Sequence, residues 1–285
     1  MDKTLVITGG SSGIGLATAM LFAQKGWRVF ELSRHGESHD GIVHIDCDVV
    51  EPESVRGAIA KVLAQSSTID VLISNAGFGI SGAVEFTALE DAKRQMDVNF
   101  FGALNTVQAV LPHMRERKEG RILFTSSVAA VLPVPYQAFY SASKAAINAM
   151  ALALANEVRE FNIRVGYLMP GDVATGFTAA RDKSEKGSDV YANINKAVSA
   201  MEKDEQNGMR PEQMARIYYK MATLRNPAPY YVGGLSYRIF CLSTACCLPD
   251  SSTGLKAQCI SRFYAVQHIF TPLNLTHYTI IAKNA

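Results

Sequence analysis

Cysteine is scarce and badly placed for chemistry. The five cysteines (Cys47, Cys241, Cys246, Cys247 and Cys259) form no C-x-x-C pair, and the six histidines are scattered. A metal site or a disulfide framework needs regular ligand spacing, so neither is expected. The chain also lacks any block of one charge. Its 28 basic and 26 acidic residues are well mixed and leave a net charge of +2, so nucleic acid is not an expected partner. No apolar run reaches the about 18 residues that a membrane-spanning helix needs, and no transmembrane segment is expected. Met1-Asp2-Lys3-Thr4 leads straight into a strand-like run, without the basic and apolar segments of a secretory leader. A cytoplasmic location is therefore expected. Only 19% of the 285 residues are charged and 48% are apolar, which excludes disorder and provides for a sizeable core.

What is present is an alternation of short apolar runs and helical patterns. Residues 5–7, 27–32, 42–45, 69–74, 121–126 and 163–168 read as strands. Residues 16–24, 52–63, 89–114 and 140–161 read as helices. Apolar strands alternating with helices imply a parallel sheet covered on both faces. The fold class is α/β, a single-domain Rossmann-like doubly wound sheet over residues 1–240. Residues 241–285 form an atypical tail with no clear helical or strand period.

Between the first strand and the first helix lies Thr8-Gly9-Gly10-Ser11-Ser12-Gly13-Ile14-Gly15. Glycine lets a backbone turn sharply and approach a ligand closely. The helix start that follows offers free N–H groups to a diphosphate. At the end of the second strand, where the adenosine ribose is read, stand Ser33 and Arg34. Serine leaves room and arginine offers a fork of donors to a 2′-phosphate, which favours NADP(H) over NAD(H). Glu31 is the counter-signal. Strand alternation puts it on the face of Ser33, further from the strand's C-terminal end.

Tyr140 and Lys144 stand four apart in "FYSASK", on one face of an Ala-rich helix. An ammonium beside a phenol favours phenolate and would turn the tyrosine into a usable acid or base.

Taken in order, these motifs resemble the classical short-chain dehydrogenases/reductases over about residues 3–240. The resemblance rests on "TGGSSGIG", Asp48 after the third strand, "SNAG" at residues 74–77, Asn99 in "DVNFFG", Ser127 in "TSSVAA", Tyr140 with Lys144, and "PGDVATG" from Pro170. The family usually has N-N-A-G where this chain has S-N-A-G, which leaves Asn75 in place. The Ser33-Arg34 pair resembles the NADP-preferring subgroup. The resemblance implies a cofactor cradle of Gly9, Ser11, Ser12, Gly13, Ile14 and Gly15. It implies that Asp48 and Val49 meet the adenine, that Asn75, Ala76 and Gly77 line the ribose, and that Pro170, Val173 and Thr175 flank the nicotinamide. It implies a catalytic tetrad: Tyr140 as general acid in ketone reduction, Lys144 lowering its pKa and holding the nicotinamide ribose, Ser127 supporting the carbonyl oxygen, and Asn99 holding a relay water. Ser126 is the neighbouring alternative to Ser127, and Asp48 reads otherwise as a helix cap.

Residues 176–226 read as the substrate-binding insertion, with a charged mobile lid at 179–186 and an amphipathic helix at 192–201. Phe78, Phe86, Tyr136, Phe139, Phe177 and Tyr191 could line an apolar pocket. The expected substrate is a bulky hydrophobic carbonyl or alcohol, steroid or lipid-like. Small 3-keto metabolites or acyl thioesters are the alternative, and a catalytically silent NADP-binding regulator is a third reading. A homodimer or homotetramer is expected, through small-residue helix faces such as Ala146, Ala149 and Ala153.

Overall fold

The computed structural model describes residues 3–39 and 41–246. Along the chain run β1 (Thr4–Thr8), α1 (Gly13–Gln24), β2 (Arg28–Ser33), β3 (Ile42–Asp46), α2 (Pro52–Gln65), β4 (Val71–Ser74) and β5 (Ile80–Ser81). There follow α3 (Leu89–Met96), α4 (Gly102–Arg117), β6 (Gly120–Thr125), α5 (Ala138–Glu157), β7 (Ile163–Met169) and β8 (Asp182–Lys183). Last come α6 (Ile194–Gln206), α7 (Pro211–Thr223), β9 (Tyr230–Val232) and α8 (Leu235–Cys246). Seven strands form one parallel sheet in the order β3-β2-β1-β4-β6-β7-β9. The order doubles back between β1 and β4, and crevices at such reversals hold ligands outside the strands' C-terminal ends.

The sheet is buried on both faces because its strands are apolar at nearly every position. Side chains alternate across the sheet. Val6, Phe30, Leu72 and Ile122 face one way, against Ile59 of α2, Val107 of α4 and Ile147 of α5. Leu5, Ile7, Val29 and Leu123 face the other way, against Phe22 of α1 and Tyr218 of α7. The pairing registers Val6 with both Phe30 and Leu72, so each face is one continuous apolar layer.

Two expected helices are interrupted. The predicted helix over residues 89–114 is two helices, α3 and α4, joined by a π turn at Asp97–Phe101. The predicted helix over 140–161 starts earlier, ends at Glu157 and passes into a 3-10 turn at Arg159–Phe161. Asn162, in the left-handed region at φ 53°, stops it and turns the chain into β7.

The chain divides into two compact units, residues 1–233 and 234–285. The sheet lies wholly in the first. Of the second, the described part is α8. The tail singled out in the sequence lies outside the described residues from Cys247 onward. Among the described residues, no helix is long and apolar enough to cross a membrane.

Candidate active site

The glycine loop is shaped by contacts that leave no room for side chains. A Cβ on Gly9 would stand 2.9 Å from the Ala76 Cα, and Gly9 and Gly13 both have positive φ, 63° and 54°. A Cβ on Gly15 would collide with the Gly9 carbonyl and stand 2.6 Å from the Asn75 amide nitrogen. Ser11 and Ser12 are exposed. Ser12 is the N-cap of α1, yet no side chain caps that helix. Uncapped amides at the mouth of a glycine cradle fit a diphosphate.

Asn75 sits at the end of β4. Its Nδ2 donates to the carbonyls of Thr8, at 3.2 Å, and Gly9, at 3.0 Å, while its Oδ1 accepts from the Thr125 hydroxyl at 2.9 Å. This side chain, expected to line a ribose, is committed to bracing the loop, and Ala76 and Gly77 carry the backbone on toward Asn99. Asp48 is not the cap of α2, a place held by Glu51. Its Oδ1 accepts from the Val50 N–H at 3.0 Å in a local turn. Val49 is buried, and a Cβ on Gly102 would press on it at 2.7 Å. Ser33 ends β2 and donates to the Glu31 carboxylate at 3.2 Å, which agrees with the expected shared face, while Arg34 is exposed.

The four tetrad positions come together at the C-terminal ends of β4 and β6. Tyr140 and Lys144 are on α5, Ser127 follows β6, and Asn99 sits in the π turn. The extra residue of that turn directs Asn99 inward, where it is 2% exposed. Its Oδ1 accepts from the Phe78 N–H at 3.0 Å, and its Nδ2 donates to the Phe78 carbonyl at 3.1 Å and the Ser143 hydroxyl at 3.0 Å. A Cβ on Gly77 would stand 3.0 Å from Asn99 Oδ1 and 3.4 Å from Lys144 Nζ, so Gly77 permits their approach. Of the two serines, Ser127 is the one close enough to the Tyr140 phenol to lower its pKa, and its hydroxyl accepts from the Ala129 N–H at 3.1 Å. Ser126 is buried and donates to the Lys144 carbonyl at 3.2 Å.

The electrostatics differ from the sequence expectation. Burial pushes the Tyr140 phenol up to about 12, against a lowering by Ser127; Glu205 raises it and Arg181 lowers it. Burial lowers the Lys144 ammonium to about 8. Lys144 Nζ donates to the Thr125 carbonyl at 2.8 Å and lies 5.8 Å from the centre of the Tyr140 ring. The ammonium therefore faces the ring and a carbonyl, and desolvation of both groups outweighs their attraction. At neutral pH Tyr140 is therefore protonated, the form in which it can donate.

After β7 the chain closes over this corner. The Pro170 carbonyl accepts from the Val128 N–H at 3.0 Å, Val173 bridges to Met209, and Thr175 lies against Gly13. The Phe177 ring is 5.7 Å from the Tyr140 ring. Tyr191 joins Phe86, at 6.0 Å, and Tyr136, at 6.3 Å. Tyr136 has φ 62°, a conformation that bulky residues avoid unless the surroundings impose it.

Residues 179–186, expected to be a mobile lid, are tied down. β8 pairs with β5, and Arg94 reaches Asp182 at 2.7 Å. The Arg181 side chain is fully buried and pairs with Glu205, which also accepts from the Thr178 hydroxyl at 2.7 Å. The Gln137 amide oxygen, turned to the guanidinium, accepts from its Nε at 3.1 Å and its Nη2 at 3.2 Å. Lys183 holds Glu202 at 2.7 Å. Sequence reasoning missed Arg181, Gln137 and Glu205, because their partners are 24 or more residues away and no local pattern links them.

The short chain dehydrogenase family matches residues 3–186. A 3-ketodihydrosphingosine reductase of Bacteroides thetaiotaomicron is 38% identical over 271 residues, 93% of this chain and 99% of that protein. A solved short-chain dehydrogenase from Streptomyces avermitilis superposes with a TM-score of 0.78 at 26% identity, covering 95% of this chain and 99% of the other. The closed form of a serine dehydrogenase complexed with NADP+ superposes with a TM-score of 0.70 at 26% identity, over 80% of this chain and 93% of the other.

Proposed function

The chain belongs to the short-chain dehydrogenase family, and we propose that it is an NADP(H)-dependent reductase of a bulky, hydrophobic, lipid-like ketone, with Tyr140 as the proton donor. The observation that carries this reading is a half-buried phenol, Tyr140, set near Ser127, the Lys144 ammonium and the Phe177 ring at the crevice where the glycine loop opens.

The residues fit a nicotinamide dinucleotide. The uncapped amides of α1 and the cradle of Gly9, Gly13 and Gly15 would hold its diphosphate, and Ser33 with Arg34 would meet the ribose 2′-phosphate. When bound, the dinucleotide supplies the hydride. The chain supplies proton handling and orientation. Tyr140 Oη gives its proton to the substrate oxygen as charge develops there, and the Ser127 hydroxyl donates to the same oxygen. Lys144, lowered to about 8, can exchange protons near neutrality and replenish the phenol. Asn99 ties the backbone at Phe78 to the Ser143 hydroxyl of α5, the helix that carries Tyr140 and Lys144. A lipid-like substrate is supported by the aromatic groups at Phe177 and at Phe86, Tyr136 and Tyr191. It is also supported by similarity along nearly the whole chain to a protein named for reducing 3-ketodihydrosphingosine.

NADPH oxidation is the test, measured at neutral pH against long-chain ketones, steroid ketones and small 3-ketoesters, with NADH in parallel and Tyr140→Phe as the blank. Turnover of the bulky ketones with NADPH, reduced about a thousandfold in the blank while NADPH still binds, is the expected outcome. Turnover of small ketoesters alone would overturn the substrate class, and full activity in Tyr140→Phe would overturn the mechanism.

We also propose self-association through α4 and α5, where Phe101, in the π turn that leads into α4, and Leu152 of α5 are 47% and 44% exposed. Light scattering on the full chain, expected to give a dimer or tetramer, tests it.

A further inference from the structure

Beside the glycine loop lies a cavity of about 270 Å³, lined among others by Gly10, Ser11, Glu31, His35, Gly36 and His39. Its floor is a carboxylate. Glu31 on β2 is 2% exposed, and its Oε2 is buried with no hydrogen-bond partner. The contact with the loop is close: a Cβ on Gly10 would stand 2.7 Å from the Glu31 Cβ and 3.2 Å from its Oε2. A Cβ on Gly36, on the other side, would collide with Oε1. Backbone thus approaches the carboxylate from two directions, and only glycine allows it.

Glu31 Oε1 takes the Ser33 hydroxyl and the His44 ring. His44 stands on β3, directly across from Glu31 in the sheet register. Its Nδ1 meets Glu31 Oε1, and its Nε2 lies 3.1 Å from Asp46 Oδ1. A neutral imidazole has one N–H, so only the imidazolium can donate to a carboxylate at each nitrogen. Burial lowers the affinity of His44 for a proton, but the bonds to Glu31 and Asp46 outweigh that and raise it above 6.5. The other charged or titratable groups around the pair are Arg34, His35, Glu37 and His39 on the loop after β2, all exposed. The glycine loop contributes only Gly10 and Ser11, and α1 only Leu16, to this cavity.

We propose that Glu31, with His44 bonded to it, forms the floor of the subsite for the adenosine ribose and its 2′-substituent, and that the proton on His44 selects between a 2′-phosphate and a 2′-hydroxyl. This rests on the dinucleotide reading above. With His44 protonated the pair is neutral, and Ser33 and Arg34 are free to favour a phosphate. With His44 neutral, Glu31 is an uncompensated anion that repels a 2′-phosphate and accepts from a 2′-hydroxyl. The conflict between Glu31 and Arg34 in the sequence is in this way resolved by pH.

Binding, not turnover, tests it. The dissociation constants of NADP+ and NAD+ are measured by calorimetry from pH 6 to 9 for the wild type, Glu31→Gln and His44→Gln. The 2′-phosphate titrates near pH ~6 itself, and Glu31→Gln carries that background. In the wild type the preference for NADP+ over NAD+ should fall by about tenfold more than in Glu31→Gln as pH rises, the effect of one uncompensated charge beside the ribose subsite. His44→Gln should keep the weak NADP+ preference of the high-pH wild type, varying with pH no more than the Glu31→Gln background does. By reciprocity NADP+ should raise the titration midpoint of the His44 ring, read by NMR in the wild type, so the proposal stays testable even if a variant does not fold. Equal pH dependence in the wild type and Glu31→Gln, or an unmoved His44 midpoint, would overturn the proposal while leaving the dinucleotide reading intact. Binding of neither dinucleotide by folded wild type would overturn both.

Discussion

The two sides of the crevice are built on opposite principles. The loop after β1 holds its shape by backbone approach. Gly9, Gly13 and Gly15 are packed against Ala76, Thr175 and each other, and Asn75 ties the loop to β6 without a single charge. The segment after β7 holds its shape by charge: Arg181 is buried against Glu205 and Gln137, with Lys183 and Glu202 alongside. A surface made of backbone contacts is rigid and suits an invariant ligand part such as a diphosphate. A buried ion cluster is stable only while complete, because removing one partner leaves an uncompensated charge.

Removing one member of the cluster should have the largest effect. Arg181→Met leaves the half-buried Glu205 without its cation and should lower unfolding free energy by about 3 kcal/mol in urea melts. Arg181→Met combined with Glu205→Gln should recover part of that loss, because no orphaned charge remains. A double variant no better than the single one would mean that Arg181 packs rather than pairs.

Next comes a pH effect of Lys144. Its ammonium is lowered from 10.5 to about 8, so the folded state disfavours the charged form. Its contribution is a penalty fully present below pH ~8 that is relieved as pH rises to 10.5, worth roughly 3 kcal/mol. Tyr140 runs the other way, but its stabilisation is intact up to pH ~10 and is lost only between there and about 12. Between pH 8 and 10, the wild type should therefore gain stability relative to Lys144→Met. Parallel stability curves would remove burial of Lys144 from the account.

Gly15→Ala probes the uncharged side. Its methyl would meet the Gly9 carbonyl and cost about 1–3 kcal/mol in overpacking, while dinucleotide affinity falls by far more than it does in Arg181→Met. Similar affinity losses in the two variants would erase the division of labour. The smallest effect belongs to Arg94→Ala. Arg94 and Asp182 are each about half exposed, at 49% and 50%, and a rim pair contributes about 0.2–1 kcal/mol.

How much of this was legible follows from the same contrast. The sheet was readable because parallel strands buried on both faces are plain apolar runs, as β1 with five buried residues illustrates. The glycine loop was readable because its constraints are local. Tyr140, Lys144, Ser127 and Asn99 were readable as a motif, but their energetics were not. Whether Lys144 lowers the tyrosine depends on where Nζ points, and it points at the Thr125 carbonyl. The ionic cluster and the Glu31–His44 pair were hidden because they join distant residues, across 24 positions in one case and 13 in the other. The ties of Arg181, Asp182 and Lys183 were hidden for the same reason: charged residues in sequence suggest solvent, and here they also have partners.

The π turn at Asp97–Phe101 makes the site sensitive to counting. Each residue added to or taken from an α-helix turns everything beyond it by about 100°. The five-residue turn works as a phase adjuster: Ala92 and Gln95 before it and Ala103, Val107, Val110 and Met114 after it all face inward, with Asn99 between them. A lineage can change the side chains here one at a time, but it cannot lose one residue without rotating either Asn99 or the whole of α4 out of place. In this stretch the number of residues constrains the site more strictly than their identity does.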